Sequence, residues 1–178
     1  MTESPLPHKV ATLLYIFNEA DEVLLLHRTR EPNAGLWSPP GGKVETNKGE
    51  SPYQGAVREA YEEVGMNLDV PDLHLTGLIS EHAYEGAGHW LMFLFEVKRK
   101  LNKLPPPHPE GEFAFVPRER LDGLPHPITD RTTLWPYFWK YRTGFFSLNC
   151  RYLGANEYQW QEEETINPSM GSFDPRAK

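Results

Sequence analysis

Three carboxylates, Glu59, Glu62 and Glu63, stand at i, i+3 and i+4 in the stretch Arg58-Glu59-Ala60-Tyr61-Glu62-Glu63-Val64-Gly65. On a helix this spacing stacks them on one face, where like charges repel. A cation relieves that repulsion. Carboxylate oxygens beside a substrate phosphate suit Mg²⁺, with Mn²⁺ as a substitute. A solvated acidic face is the plainer reading of a lone Glu pair on a helix. Arg58 beside the carboxylates and Gly41-Gly42 upstream weigh against it.

The helix that must carry them is well specified. Ser51 is a natural N-cap, Pro52 occupies the first helical position and Gln54 completes a capping box. Ala56, Ala60 and Val64 form a narrow apolar stripe that lets the helix sit close to a sheet. Gly65 stands where a left-handed residue would end the helix. Upstream, Trp37-Ser38-Pro39-Pro40-Gly41-Gly42 runs from rigid to permissive, and its glycines let backbone approach a ligand.

Taken together, Gly42 to Met66 resembles the box of the Nudix (MutT-like) hydrolases, G-x5-E-x7-R-E-U-x-E-E-x-G-U with U apolar. Glu50, Arg58, Glu59, Glu62, Glu63, Gly65 and Met66 match, and Ala60 serves as the first U. One departure is visible: seven residues separate Gly42 from Glu50, so a two-residue insertion falls within the polar turn Thr46-Asn47-Lys48-Gly49.

The resemblance implies metal-dependent hydrolysis of a nucleoside diphosphate-X pyrophosphate bond. It implies Glu59 as general base or metal ligand, Glu62 and Glu63 as metal ligands, and Gly41 as a carbonyl ligand. Arg58 would pair with one of the glutamates and fix its rotamer. Glu50 would be an outer ligand or an orienter at the helix end. Gly42 and Lys43 would meet the substrate, although Lys43 also reads as a solvated lysine. Glu112, in Gly111-Glu112-Phe113, would be an extra ligand or base, against an ordinary strand-edge glutamate; Glu81 and Glu85 are its rivals. Asp130 would read the edge of a base, or else cap the helix that follows it. Phe113, Phe115, Trp37 and Trp135 are candidate ring faces. His82, His89, His108 and His126 lack the spacing of metal ligands.

The downstream order, Pro127-Ile128-Thr129-Asp130-Arg131, then Phe145-Phe146, then Glu162-Glu163-Glu164, resembles bacterial 8-oxo-dGTP diphosphatase-like members. That implies a nucleoside triphosphate, including an oxidised purine, cut to monophosphate and pyrophosphate. ADP-ribose, a dinucleoside polyphosphate and capped RNA are alternatives, as is a non-catalytic nucleotide-sensing module.

Composition bounds these readings. The chain has 178 residues and a net charge of −7, which disfavours a sequence-independent grip on long nucleic acid. A single cysteine, Cys150, allows no internal disulfide and reads as a buried, inert thiol. Residues 1–9 hold no apolar leader, and no run reaches membrane-spanning length, so a cytoplasmic enzyme, monomer or homodimer, is expected.

The pattern of apolar runs implies a mixed α/β chain. Residues 10–17 and 22–28 read as a hairpin, with further strands at 73–80, 89–97 and 112–116, one helical turn at 118–122 and a helix at 131–142. Residues 145–152 and 158–164 read as a C-terminal hairpin. With the resemblance, the expectation is a Nudix fold: an α/β/α sandwich around a mixed sheet, one domain over 1–166 including the hairpin, and a loose tail at 167–178.

Overall fold

The computed structural model describes residues 6–31, 33–84, 88–154 and 157–167. Apolar residues alternate along the first strands and split between two cores. In β1 (His8–Tyr15) and the residues after it, Leu14 and Ile16 face one side while Tyr15 and Phe17 face the other. In β2 (Val23–Arg28), Leu24 and Leu26 join the first core, Val23 and Leu25 the second. A strand buried on both faces needs a helix over each face.

The first core is covered by α1 (Pro52–Val64), whose Ala56, Ala60 and Val64 are buried as the stripe implies. Its capping box forms, and Gly65 closes it at φ 73°. The second core lies under α2 (Trp135–Tyr141), with Phe138 wholly buried and stacked on Tyr15 at 4.0 Å between centroids. Burying one such aromatic contributes roughly 1.5–3 kcal/mol.

Two sheets lie between the helices. The larger, in the order β4-β1-β6-β5-β8-β9, combines β4 (Gly41–Lys43), β5 (Leu73–Tyr84), β6 (Gly88–Val97), β8 (Phe145–Gly154) and β9 (Glu157–Ile166) with β1. The pairs β1·β6 and β5·β8 are parallel and the rest antiparallel, so the sheet is mixed. The smaller sheet is β3 (Trp37–Ser38), β2 and β7 (Gly111–Val116). The expected α/β/α architecture around a mixed sheet is therefore present.

Three local expectations change. The 10–28 hairpin forms only near its turn, where Leu24 donates to the Ile16 carbonyl and Phe17 bridges Val23. Beyond that point β1 and β2 diverge into different sheets, because each has other partners to satisfy. The stretch 37–43, for which the sequence implied no strand, holds the short strands β3 and β4.

The third change concerns the helix expected from Arg131. It begins at Ile128 and runs through a π-helical turn, Asp130–Leu134, before α2. Pro136 has no N–H and would press its ring on the carbonyl four residues back. The wider turn, in which the Trp135 N–H bonds the Asp130 carbonyl, makes room for it. The tail expected at 167–178 lies outside the described residues, apart from Asn167. Among the described residues no helix is long and apolar enough to cross a membrane.

Candidate active site

Arg58 is the hub of the acidic face. Its Nε and Nη2 donate to the two oxygens of Glu50 at 2.8 and 3.0 Å, a bidentate pair. Its Nη1 donates to Glu59 at 2.7 Å and to Glu62 at 2.9 Å. Its Nη2 also reaches the Lys43 carbonyl at 3.0 Å. Arg58 thus holds three carboxylates, where one was expected. Its hydrogen bonds to Glu50, above all, raise the guanidinium pKa further.

Glu50 reaches this hub despite the insertion. The extra residues close into a 3₁₀ turn at Thr46–Lys48 that ends at Gly49 with φ 72°, and Glu50 then accepts the Glu45 N–H at 2.7 Å. Arg58 holds its carboxyl below the usual range. Gly55, in the first turns of α1, keeps this contact open: a Cβ there would stand 3.2 Å from a Glu50 oxygen and 3.4 Å from Val44. The same packing explains a glycine inside a helix, a placement that costs about 0.5–1 kcal/mol.

Glu63 turns the other way and accepts the Gly41 N–H at 2.8 Å. Burial pushes its carboxyl up to about 7; the Gly41 bond opposes this, and the charges of Glu59 and Glu110 add to it. Glu59 is 9% exposed, and burial raises its pKa too, against the pull of Arg58. Two glycines make this proximity possible. At Gly41, with φ 145°, a Cβ would lie 2.1 Å from the Thr12 carbonyl; at Gly42 it would lie 2.4 Å from Glu59 Oε1. Gly41 meets the acidic face through its N–H. The Lys43 side chain points to solvent.

Among the described residues no three His, Cys, Asp or Glu side chains form a ready metal cage. Glu50, Glu59 and Glu62 are instead gathered around the Arg58 guanidinium. The donor set nevertheless fits a hard divalent cation. It is all carboxylate oxygen, with no thiol or imidazole, and carries more negative charge than one arginine balances. Glu59, Glu62 and Glu63 could hold such a cation after a change of side-chain rotamer, with Arg58 remaining on Glu50.

Several candidates fall elsewhere. Glu112, expected as the extra carboxylate, is exposed on β7 opposite His27. The carboxylate outside α1 whose charge reaches Glu63 is Glu110, itself paired with Arg28 at 2.8 Å. No helical spacing marks Glu110; only the β2–β7 register brings it in. Glu81 is buried on β5, and Glu85 lies outside the described residues. Phe113 and Phe115 pack in the α1-side core and Trp135 in the α2-side core, so these rings are structural. Trp37 stacks on His27 at 4.8 Å. His126 is a strut, with its two ring nitrogens 2.9 and 3.1 Å from the carbonyls of Trp37 and Leu121. Cys150 is buried, and burial pushes its thiol up to about 12.

Asp130 does not cap the helix. Thr129 before it is already helical, and the Arg131 N–H bonds the Pro127 carbonyl, so Asp130 sits within the first turn. Burial pushes its carboxyl up to about 7, and the Thr129 hydroxyl, donating at 3.5 Å, offsets little of this.

Comparison with known proteins agrees with this geometry. The model of the NUDIX domain matches residues 7–135. An RNA pyrophosphohydrolase of Mesorhizobium japonicum is 36% identical over 129 residues, covering 61% of this chain and 72% of that protein. Among solved structures, a mutator MutT protein from Bacillus halodurans superposes with a TM-score of 0.68 at 23% identity, covering 87% of this chain and 97% of the other. A MutT Nudix hydrolase from Burkholderia pseudomallei gives 0.56 at 26% identity, covering 72% and 95%. A family model spanning most of the chain, over a fold that gathers the box carboxylates around one arginine, places this protein in the Nudix family as a pyrophosphohydrolase.

Proposed function

We propose that the protein hydrolyses a pyrophosphate bond of a nucleoside triphosphate with Mg²⁺ as cofactor, releasing the monophosphate and pyrophosphate. The observation that carries this reading is the Arg58-centred cluster with Glu63 anchored on Gly41. When bound, the cation neutralises phosphate oxygens and lowers the pKa of the attacking water. Glu62 and Glu63 would hold it, and the Gly41 N–H orients Glu63 for that task. Glu59, whose burial raises its affinity for a proton, would take the proton of the attacking water. Arg58 positions Glu59 from one side while its bidentate bond to Glu50 fixes Arg58 itself. The bare backbone of Gly41 and Gly42 admits the anionic chain, and Lys43 stands beside it. Asp130, whose carboxyl burial pushes up to about 7, would in its protonated form donate to a carbonyl on the base edge, as on a purine oxidised at its 8-position.

A second reading has its own support. The M. japonicum relative is named an RNA pyrophosphohydrolase. A triphosphate at an RNA 5′ end offers the same bond, and recognising an end needs few phosphate contacts, so the net charge of −7 does not oppose it.

One panel separates the readings. Phosphate release is followed with and without Mg²⁺, coupled to inorganic pyrophosphatase for dGTP, 8-oxo-dGTP and 5′-triphosphorylated RNA, which release pyrophosphate, and to alkaline phosphatase for ADP-ribose and a dinucleoside tetraphosphate, whose products carry terminal phosphates. Turnover should require the cation, rise toward mildly alkaline pH and favour 8-oxo-dGTP. Preference for the RNA establishes the second reading; full activity in excess chelator overturns both.

A further inference from the structure

Thr12 lies in the middle of β1, wholly buried, and its hydroxyl finds no hydrogen-bond partner within the protein. A buried hydroxyl in that state destabilises a fold. Valine has nearly the same volume, suits a strand as well and carries no such penalty. A threonine kept here calls for a reason beyond packing.

Its place beside the acidic face supplies one. Side chains alternate along a strand, so Thr12 points to the same side as Leu14 and Ile16, toward α1. Its partner across the sheet is Gly42 on β4. The pairing is fastened on either side, where Val44 donates to the Val10 carbonyl at 2.9 Å and Leu14 to the Pro40 carbonyl at 2.8 Å. Side chains of directly opposed residues point the same way, with Cβ atoms roughly 4.5–5.5 Å apart. Gly42 has no side chain, and Glu59 fills its place: a Cβ there would fall 2.7 Å or less from both carboxylate oxygens. Glu59 therefore stands where the cross-strand neighbour of Thr12 would be. In the resting arrangement it accepts from Arg58 at 2.7 Å instead, and the Thr12 hydroxyl is left alone.

We propose that Thr12 is a positioning residue whose hydroxyl anchors Glu59 in its working position, donating to one oxygen when the carboxylate turns from Arg58 toward the attacking water. The proposal rests on the reading that Glu59 takes the proton of that water. Arg58 holds the carboxylate at rest, and Thr12 holds it during turnover. A single neutral donor suits the second task. It fixes the rotamer through one oxygen and leaves the other open to the water. The hydroxyl lacks a partner at rest because Arg58 has hold of that partner.

The test compares wild type, Thr12→Val and Thr12→Ser as full chains. In chelator, Thr12→Val should melt at or above the wild-type temperature, because it removes an unpartnered buried hydroxyl. On the substrate that the hydrolysis panel selects, Thr12→Val should lower kcat roughly ten- to hundredfold, the usual weight of a hydrogen bond to a charged group, with KM within about twofold. Thr12→Ser keeps the hydroxyl and should retain kcat within about threefold. In a Glu59→Gln background Thr12→Val should lower kcat by less than about twofold further, since its effect passes through the carboxylate. Four results overturn the anchor: an unchanged kcat in Thr12→Val, an equal loss in Thr12→Ser, a lower melting temperature for Thr12→Val, or an undiminished loss on top of Glu59→Gln. Absence of turnover by wild type on every substrate overturns the proposed function instead. A crystal structure of the wild type grown with Mg²⁺ then decides the anchor. Thr12 Oγ1 within about 3.0 Å of a Glu59 oxygen sustains it, and a Glu59 still bonded only to Arg58 overturns it.

Discussion

At the scale of single residues, the site is a balance of charge around Arg58. One guanidinium gathers Glu50, Glu59 and Glu62, while Glu63 depends on a backbone N–H. Such a face keeps its carboxylates near one another without letting them collapse onto separate partners. Glu59→Gln and Glu63→Gln should each lower kcat/KM by roughly 10²- to 10⁴-fold, with unchanged circular dichroism. Near-wild-type turnover of both variants on every active substrate would remove the cluster from the chemistry.

Asp130 allows a separate test. Its folded pKa lies above the ordinary 3.8, at about 7. The folded protein therefore binds a proton that the unfolded chain releases. The stability this confers is full below the unfolded pKa and is lost as pH rises through about 7. Asp130→Asn abolishes that dependence, so its melting temperature should gain on wild type between about pH 5 and pH 8. A constant difference would mean that the carboxyl is well solvated. If Asp130 also reads a base edge, Asp130→Ala should change the kcat/KM ratio of 8-oxo-dGTP to dGTP by the equivalent of roughly 1–3 kcal/mol.

At the scale of elements, the two helices are secured differently. α1 is held by small residues, a capping box and its terminal glycine, all local devices. α2 ends at an ionic lock. Arg142 donates to buried Glu96 at 2.8 Å and to Asp21 at 3.0 Å, and lies 3.8 Å over the ring of Phe17. Burial raises the Glu96 pKa and Arg142 counters it. Removing the arginine strands a buried carboxylate. Arg142→Leu should therefore cost about 3–5 kcal/mol, measured by urea unfolding, and adding Glu96→Gln should recover part of it. A loss below about 1 kcal/mol would show that water already compensates Glu96.

At the scale of the molecule, the hairpin is built into the sheet. β8 pairs with β5 in parallel and contributes Phe146, Leu148 and Cys150, each 1% exposed or less. Ending the chain after Gly144 would uncover the edge of β5 and much of the α2-side core. The truncated chain should lose its cooperative melting transition and aggregate through that edge. A soluble fragment with a sharp transition would make the hairpin a separate appendage. Its acidic β9 forms the outer edge of the larger sheet, where charge discourages pairing with further strands.

The helix of the site was legible in the chain itself. Its cap, its stripe, its stop and its carboxylate face all follow from contacts within four residues, and those contacts are set by the 3.6-residue repeat. The longer strands were legible for the same local reason, down to the C-terminal hairpin, whereas the short β3 and β4 were not. Tertiary structure decided what depends on register between distant segments. It split β1 from β2, brought the charge of Glu110 to bear on Glu63, and placed Tyr84 and Tyr158 on the lining of one cavity. Whether a buried ring is core or platform depends on which side of a strand meets the sheet behind it. Asp130 turned on its setting: the helix starts at Ile128 and takes a π turn ahead of Pro136, so a residue that reads as a cap becomes a carboxyl inside the first turn. Pairing between strands is settled by partners far away in sequence, and no local spacing encodes it.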